Sequence, residues 1–413
     1  MAILRPFKAL RPHEDRAAQV SAVPYDVVST AEARQFAAGN PLSFLHVSRA
    51  EIDLPDGTDP YSAEVYERAA RNFESLKRDG VMLVESEPAL YVYRLRMGDH
   101  EQNGIAACCS IQEYDSDLIR KHERTRKDKE DDRTRHMIAL GAQTGPVFLT
   151  YRGRGEIDEI VTTAKNNQPL YDFVAPDQVQ HTVWKLPVGL ADSLTRMFGK
   201  VPLLYIADGH HRAASASRAA RQLAAQAPPG AAPAEFEYFL AVIFPADQLK
   251  ILAYNRVVKG LNGLDRDAFL KALGERFIVK QDASPEPSVK GQMSMYVGGR
   301  WYSLAARDSQ NELQANDPIS SLDVSVLEKS LLDPILGITD VRTDKRIDFV
   351  GGIRGPKALE QIVDDGRATV AFSMYPVSLD ELMAIADTGQ IMPPKSTWFE
   401  PKLRDGLLIH LLQ

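Results

Sequence analysis

The chain has 413 residues, 44% hydrophobic and 25% charged, with a formal net charge of −7. That length is more than one hydrophobic core usually serves, and the composition excludes wholesale disorder. The acidic balance argues against nucleic acid as a partner, since phosphate-binding surfaces draw on a basic excess. With no apolar run of about 18 residues, a membrane span is not expected either.

The opening Ile3-Leu4-Arg5-Pro6-Phe7 is charged too soon for a secretory signal. Residues 32–38 read as a short helix ended by Gly39-Asn40-Pro41, and 62–78 as an amphipathic helix with Val65, Ala69, Phe73 and Leu76 on one stripe. Residues 90–95 and 105–111 alternate as strands, with a hairpin turn at Met97-Gly98-Asp99-His100. The second strand carries the chain's two cysteines, Cys108 and Cys109, which read as buried structural thiols of a cytoplasmic protein. Strand 146–151 and helix 157–165 follow, then a buried strand at 202–207 and an alanine-rich helix at 213–226. Residues 227–233 form a proline-rich loop. Two strands at 238–244 and 249–258 turn at Pro245-Ala246-Asp247. A second region then reads as helix 266–277, a hairpin of 293–297 and 301–304 around Gly298-Gly299, helix 324–336 ended by Gly337, strand 369–374 and helix 379–386. Strands and helices alternate throughout, which predicts an α/β fold with α+β-type mixed sheets. The expected division is 1–260, a catalytic region, and 261–413, packing back on its cleft.

One segment concentrates chemistry. The strand Leu203-Leu204-Tyr205-Ile206-Ala207 ends at Asp208-Gly209, and a helix begins at once with His210-His211-Arg212. Gly209 permits a sharp turn and close ligand approach. The first amides of the helix point outward at the positive end of its dipole, where an anion is welcome. Arg212 can fork onto phosphate oxygens. His210 and His211 can donate hydrogen bonds or move protons, and Asp208 can hold Mg²⁺ or accept a hydroxyl proton. The plainer alternative is that Asp208 merely caps the helix.

Residues 120–136 hold eight Lys or Arg and five Asp or Glu. They contain no apolar residue, so they read as a solvated segment or as the wall of a polar cleft. In the second case Lys121, Arg124 and Lys129, with Thr125 and Arg133, serve as a nucleotide clamp, and Glu123 as base or metal ligand. Tyr25, Asp26, His46 and Arg49 are candidate substrate contacts, as are Lys395, Ser396 and Thr397 after two prolines. Trp184 with His181 reads as core rather than as a nucleobase platform.

These residues carry a resemblance. The segments Ile3–Phe7, Val23–Val28, Asn40–Val47, Lys121–Thr125 with Glu130–Arg133, Ile206–Arg212, and Met392–Thr397 with Pro401–Leu403 are similar to the family catalogued as domain of unknown function 1015. Its members include ATP-dependent L-serine kinases. The Asp208–Arg212 motif also resembles the nucleotide-binding turn of the ParB and sulfiredoxin superfamily. The resemblance implies a ParB/sulfiredoxin-like core, ATP with Mg²⁺ as cofactors, a phosphate site over Gly209–Arg212, and an acid that activates the acceptor hydroxyl, Glu123 or else Asp208. The chain departs from the pattern at Ala213, where an aromatic residue is expected, and at Tyr254-Asn255-Arg256, where a Thr-His-Arg triplet is expected. The reading favoured is a kinase acting on a free hydroxyl amino acid such as L-serine, in a monomer or a homo-oligomer. The alternatives are a ParB-like nucleotide hydrolase or switch and a non-catalytic metabolite-binding protein.

Overall fold

The computed structural model describes residues 2–226, 234–307 and 317–413, so the expected loop at 227–233 lies outside the described residues. The chain is of the mixed α/β class and divides into two units. The first holds Met1–Lys121, Thr125–Leu249 and Pro401–Gln413; the second holds His122–Arg124 and Lys250–Glu400. Where the sequence reading draws one boundary at 260, the chain passes between units near residues 121, 125, 250 and 401.

The first unit is organised on one sheet: β1 (Leu4–Arg5), β2 (Tyr91–Met97), β3 (His100–Ser110), β4 (Ile119–Arg120), β5 (Val147–Tyr151), β6 (Tyr171–Val174), β7 (Gln180–Lys185), β8 (Leu204–Asp208) and β9 (Tyr238–Pro245). The order is β4-β8-β5-β9-β3-β2-β7-β6, with β1 on β3. β8 is parallel to β4, β5 is parallel to β9, and the other pairings are antiparallel. The β2–β3 hairpin closes with Met97 opposite His100, as its turn residues predict.

Six helices matter to this unit: α1 (Thr30–Ala37), α2 (Ala63–Arg78), α3 (Lys127–Leu140), α4 (Gly155–Ala164), α5 (Val188–Phe198) and α6 (His210–Ala224). A capping box of Ser29 and Glu32 starts α1. Sheet residues Leu149, Ile206 and Ile243 pack with Ile157 of α4, Leu194 and Phe198 of α5 and Ala216 of α6 in one core. The predicted α2 stripe of Val65, Ala69, Phe73 and Leu76 joins Phe44 and Val47 in another. Cys108 and Cys109 are free and buried on β3, and burial pushes both thiols up. Trp184 is a core residue whose indole N–H donates to Asn167 O at 3.0 Å.

The charged segment departs most from expectation. From Lys127 it is helical, and its inner face is buried through polar contacts rather than apolar ones. Asp132 accepts from the Tyr66 hydroxyl at 2.9 Å and from Arg133 Nε at 2.7 Å. His136 Nε2 meets Val47 O at 3.0 Å. Ser215 of α6 donates to Glu130 O at 3.2 Å, and Arg218 pairs with Glu130 and Asp131. Ala213, Ala214, Ser215 and Ala216 are small enough for the two helices to approach this closely. Only near its end does α3 become apolar, where Met137 and Leu140 enter the two cores.

The second unit holds β10 (Tyr254–Val258), β11 (Phe277–Gln281), β12 (Gln292–Val297), β13 (Arg300–Ala306), β14 (Ile347–Gly351) and β15 (Val370–Ser373). They form an antiparallel sheet in the order β11-β13-β12-β15-β10-β14. The expected strand 249–258 is broken at Ala253: Lys250–Leu252 pairs instead with Trp398–Glu400. The expected helix 324–336 starts as an α-helix at Asp323–Leu327 and continues as a π-helical turn, Glu328–Leu332.

Asp132→Ala leaves the Tyr66 hydroxyl and the Arg133 guanidinium buried without their carboxylate. Breaking a buried pair from one side costs about 3 kcal/mol or more. Urea unfolding is expected to show a loss of that order, where a solvated charge would change stability by under about 0.5 kcal/mol.

Candidate active site

β8 delivers the motif, and its last pairings are irregular. Ile206 lies opposite Leu149 and Asp208 opposite Phe148, so Ala207 is an extra residue against β5. Such a bulge re-aims the residue that follows it. Gly209 then takes φ +94°, a left-handed conformation that a side chain rarely adopts, and a Cβ there would stand 3.1 Å from the Arg212 guanidinium. The glycine is itself the N-cap of α6, and no side chain caps the first turn. Asp208 therefore does not cap the helix. Its Oδ1 accepts from the Gly209 amide, at 2.8 Å. Among the described residues the leading amides of α6 have no side-chain cap.

Charge gathers around this turn from distant parts of the first unit. Lys402 Nζ donates to Asp208 Oδ2 at 3.0 Å. Arg212 Nη2 lies 3.7 Å from Asp208 Oδ2 and 3.8 Å from Asp26 Oδ2, and its Nη1 donates to Pro146 O. Burial disfavours the charged form of Asp208, but Lys402 and then Arg212 outweigh it and hold this carboxyl well below the usual range. Burial likewise opposes the charge on Arg212, and Asp26, Asp208 and Asp405 more than compensate. Tyr25 is buried, with the Arg133 guanidinium 4.1 Å over its ring. Burial, with Asp26 next, raises its phenol. His136 is pushed down to about 4, by burial and then by Arg133.

His211 Nε2 accepts the Arg126 amide at 3.0 Å. The neutral imidazole then carries its proton on Nδ1. His210 is buried at the helix start. The structure thus brings together Tyr25, Asp26, Arg133, Asp208, Gly209, His210, His211 and Arg212. Other predicted residues of the first unit are engaged locally. Lys121 donates to Tyr114 O and Asp117, Thr125 pairs with Glu130, and Lys129 bonds the Tyr61 hydroxyl at 2.5 Å. His46 binds Asp53 at 2.7 Å, and that bond raises the imidazole against the effect of burial. Arg49 pairs with Glu51 at 2.9 Å.

Glu123, Arg124, Lys395, Ser396 and Thr397 belong to the second unit. There Lys395 O accepts from Arg256 at 3.2 Å and Ser396 donates to Pro393 O at 2.6 Å. Lys402 and Asp405 escaped the sequence reading as site residues. The available signal was their charge within a C-terminal run that otherwise holds Leu403, Leu407, Leu408 and Ile409.

The model of the family described as protein of unknown function (DUF1015) matches residues 4–325. The chain belongs to that family. No curated protein matches it. Among solved structures, the chain is similar to a free serine kinase in complex with AMP, at 13% identity over 73% of this chain and 91% of that one, TM-score 0.36. It is similar also to a conserved hypothetical protein from Pyrococcus furiosus, at 14% identity, 75% and 95% coverage and TM-score 0.35. A third is SbnI with C-terminal truncation from Staphylococcus aureus, at 11% identity, 74% and 87% coverage and TM-score 0.37. Among the described residues no helix is long and apolar enough to cross a membrane.

Asp208 is lowered in the folded state, so its stabilising effect is present above the ordinary carboxylate range and is lost as pH falls through it. Lys402→Met removes the leading cause. The variant is expected to lose about 2 kcal/mol at pH 7, the scale of a charged hydrogen bond. Its stability should also fall less steeply than the parent's between about pH 4 and 2. Chemical unfolding at several pH values checks both.

Proposed function

We propose that this DUF1015 protein is a small-molecule kinase that transfers phosphate from ATP to a free hydroxyl amino acid, with L-serine giving O-phosphoserine. The observation that carries the reading is the cradle at Gly209. An uncapped helix start, the Arg212 guanidinium and the Lys402 ammonium surround one strand end, and a polyphosphate needs that combination. His211, with its proton on Nδ1, adds a donor.

In this reading the acceptor oxygen attacks the γ-phosphorus, the bond to the ADP oxygen breaks, and the hydroxyl proton passes to a carboxylate. Asp208 is a weak base here, because Lys402 and Arg212 stabilise its anion and the Gly209 amide holds its other oxygen. It serves better to orient the two cations than to take the proton. Phosphoryl transfer depends chiefly on positioning and charge neutralisation, which these residues supply. Among the described residues no group of three or more His, Cys, Asp or Glu is poised to hold a metal. Asp208 is the carboxylate that would hold Mg²⁺ beside the nucleotide's phosphates, where the ion would neutralise phosphate charge. A reducing cytoplasm suits the two thiols.

The test is phosphorus NMR of the protein with ATP, Mg²⁺ and L-serine, L-threonine or L-homoserine. A new phosphate-ester signal is expected, and Asp208→Asn and Arg212→Ala should each slow its appearance about 100-fold or more. No ester with any acceptor removes the kinase reading. Nucleotide hydrolysis alone would favour the switch-type alternative.

A further inference from the structure

Beside Arg212 the first unit holds a partly open cavity of about 40 Å³. Tyr25, Ser48, Arg133, Thr144, Arg212 and Asp405 are among its walls. Three of these carry buried polar atoms with no hydrogen-bond partner among the described residues: Ser48 Oγ, Arg212 Nε and Asp405 Oδ1. All three side chains belong to residues at most 7% exposed. An unpaired buried donor or acceptor costs free energy, and three on one cavity call for an explanation. The room is also specific. A Cβ on Gly145 would stand 2.4 Å from Asp405 Oδ1, so only glycine leaves that oxygen open.

The unmet needs are of two kinds. Arg212 Nε is a cationic donor, and the Arg133 guanidinium stands on the same cavity. Asp405 Oδ1 is an acceptor, and Ser48 Oγ can accept as well. A volume of about 40 Å³ admits about three water-sized groups, so only a small polar group enters. We infer that this cavity is the subsite for the zwitterionic head of an α-amino acid, with its ammonium on Asp405 and Ser48 and its carboxylate on Arg133 and Arg212. The assignment rests on the kinase reading for its meaning, and adds to it which residues recognise the acceptor. Arg212 borders both places: it lines the cavity, and its Nη2 lies 3.7 Å from Asp208 Oδ2. Asp405 lies beyond the stretch matched by the family model, and its segment is anchored independently. Its backbone pairs with Ala22 at 2.9 and 3.1 Å, and the neighbouring Arg404 is held by His181 at 3.1 Å and by Asp177.

The test is calorimetric titration of the full chain, with and without ADP, using glycine, L-serine, L-threonine and L-homoserine. Ethanolamine and 3-hydroxypropionate, serine without its carboxylate or its ammonium, are the controls. At least one amino acid should bind, and each truncated analogue should bind about tenfold more weakly or worse. Asp405→Asn should weaken serine about tenfold yet leave 3-hydroxypropionate unchanged, a selective loss that a general disturbance would not produce. Ser48→Ala, a smaller change, should weaken serine several-fold with the same selectivity, and carries the comparison if Asp405→Asn does not fold. Retained preference for serine over 3-hydroxypropionate in these variants overturns the assignment. So does failure of every amino acid to bind a protein that binds ADP, with the cavity then merely hydrated. Amino-acid binding without nucleotide binding would instead remove the kinase reading and keep the subsite.

Discussion

The Arg212 guanidinium is 7% exposed, and a charge so placed cannot stand without partners. Its partners come from four separate stretches of chain: Asp26 near the start, Pro146 O at the entry to β5, Asp208 at the end of β8, and Asp405 in the returning C-terminal segment. Removing any one leaves a positive charge short of compensation in a poorly solvated place. Burying this one guanidinium therefore fixes where those four segments must lie. The turn at Gly209 is tied to those segments through Arg212, and an anion site is useful only if its donors are held in place before the anion arrives.

The same logic explains why α3 is polar on its buried side. An apolar α3 would pack at least as well against α6, since replacing buried ion pairs by hydrocarbon is often stabilising. The polar version does something else. Asp132 orients Arg133 by a 2.7 Å bond to Nε, and Arg133 then stands 4.1 Å over the Tyr25 ring and lines the cavity. His136 stays neutral beside it, so that no further cation competes for the carboxylates. Stability is exchanged for the placement of one guanidinium.

This also marks how far the sequence could be read. The strand-turn-helix at 204–212 was legible because every signal is local: an apolar run, Asp-Gly, then basic residues at a helix start. The stripe of α2 and the hairpin at Gly98 were legible for the same reason. Residues 127–140 were not, because amphipathic pattern assumes that a buried face is apolar, and here Asp132, Thr134 and His136 are buried by mutual hydrogen bonding. Lys402 and Asp405 were invisible as site residues because their partners are about two hundred or more positions away. A sequence shows their charge but not the segment's return to the first unit. The break at Ala253 is likewise a tertiary matter: a Cβ on Gly352 would come within 2.5 Å of Ala253 O, so the strand is interrupted where another backbone crosses.

Two carboxylates beside one guanidinium then acquire opposite characters. Asp208 is 29% exposed, receives an ammonium and an amide, and is driven below the usual carboxylate range. Asp405 is enclosed and has an oxygen without a donor. Burial pushes it up to about 7, against the pull of Arg212, and Asp26 adds to the rise. The signs of their linkage to pH differ accordingly. Asp208 stabilises the fold above the ordinary carboxylate range and loses that effect as pH falls through it. Asp405 binds its proton more tightly folded than unfolded, so its contribution weakens as pH rises toward 7. Asp208 has Lys402 in direct contact, whereas Asp405 Oδ1 has no donor among the described residues, so one guanidinium sits beside a carboxyl that is lowered and another that burial keeps raised.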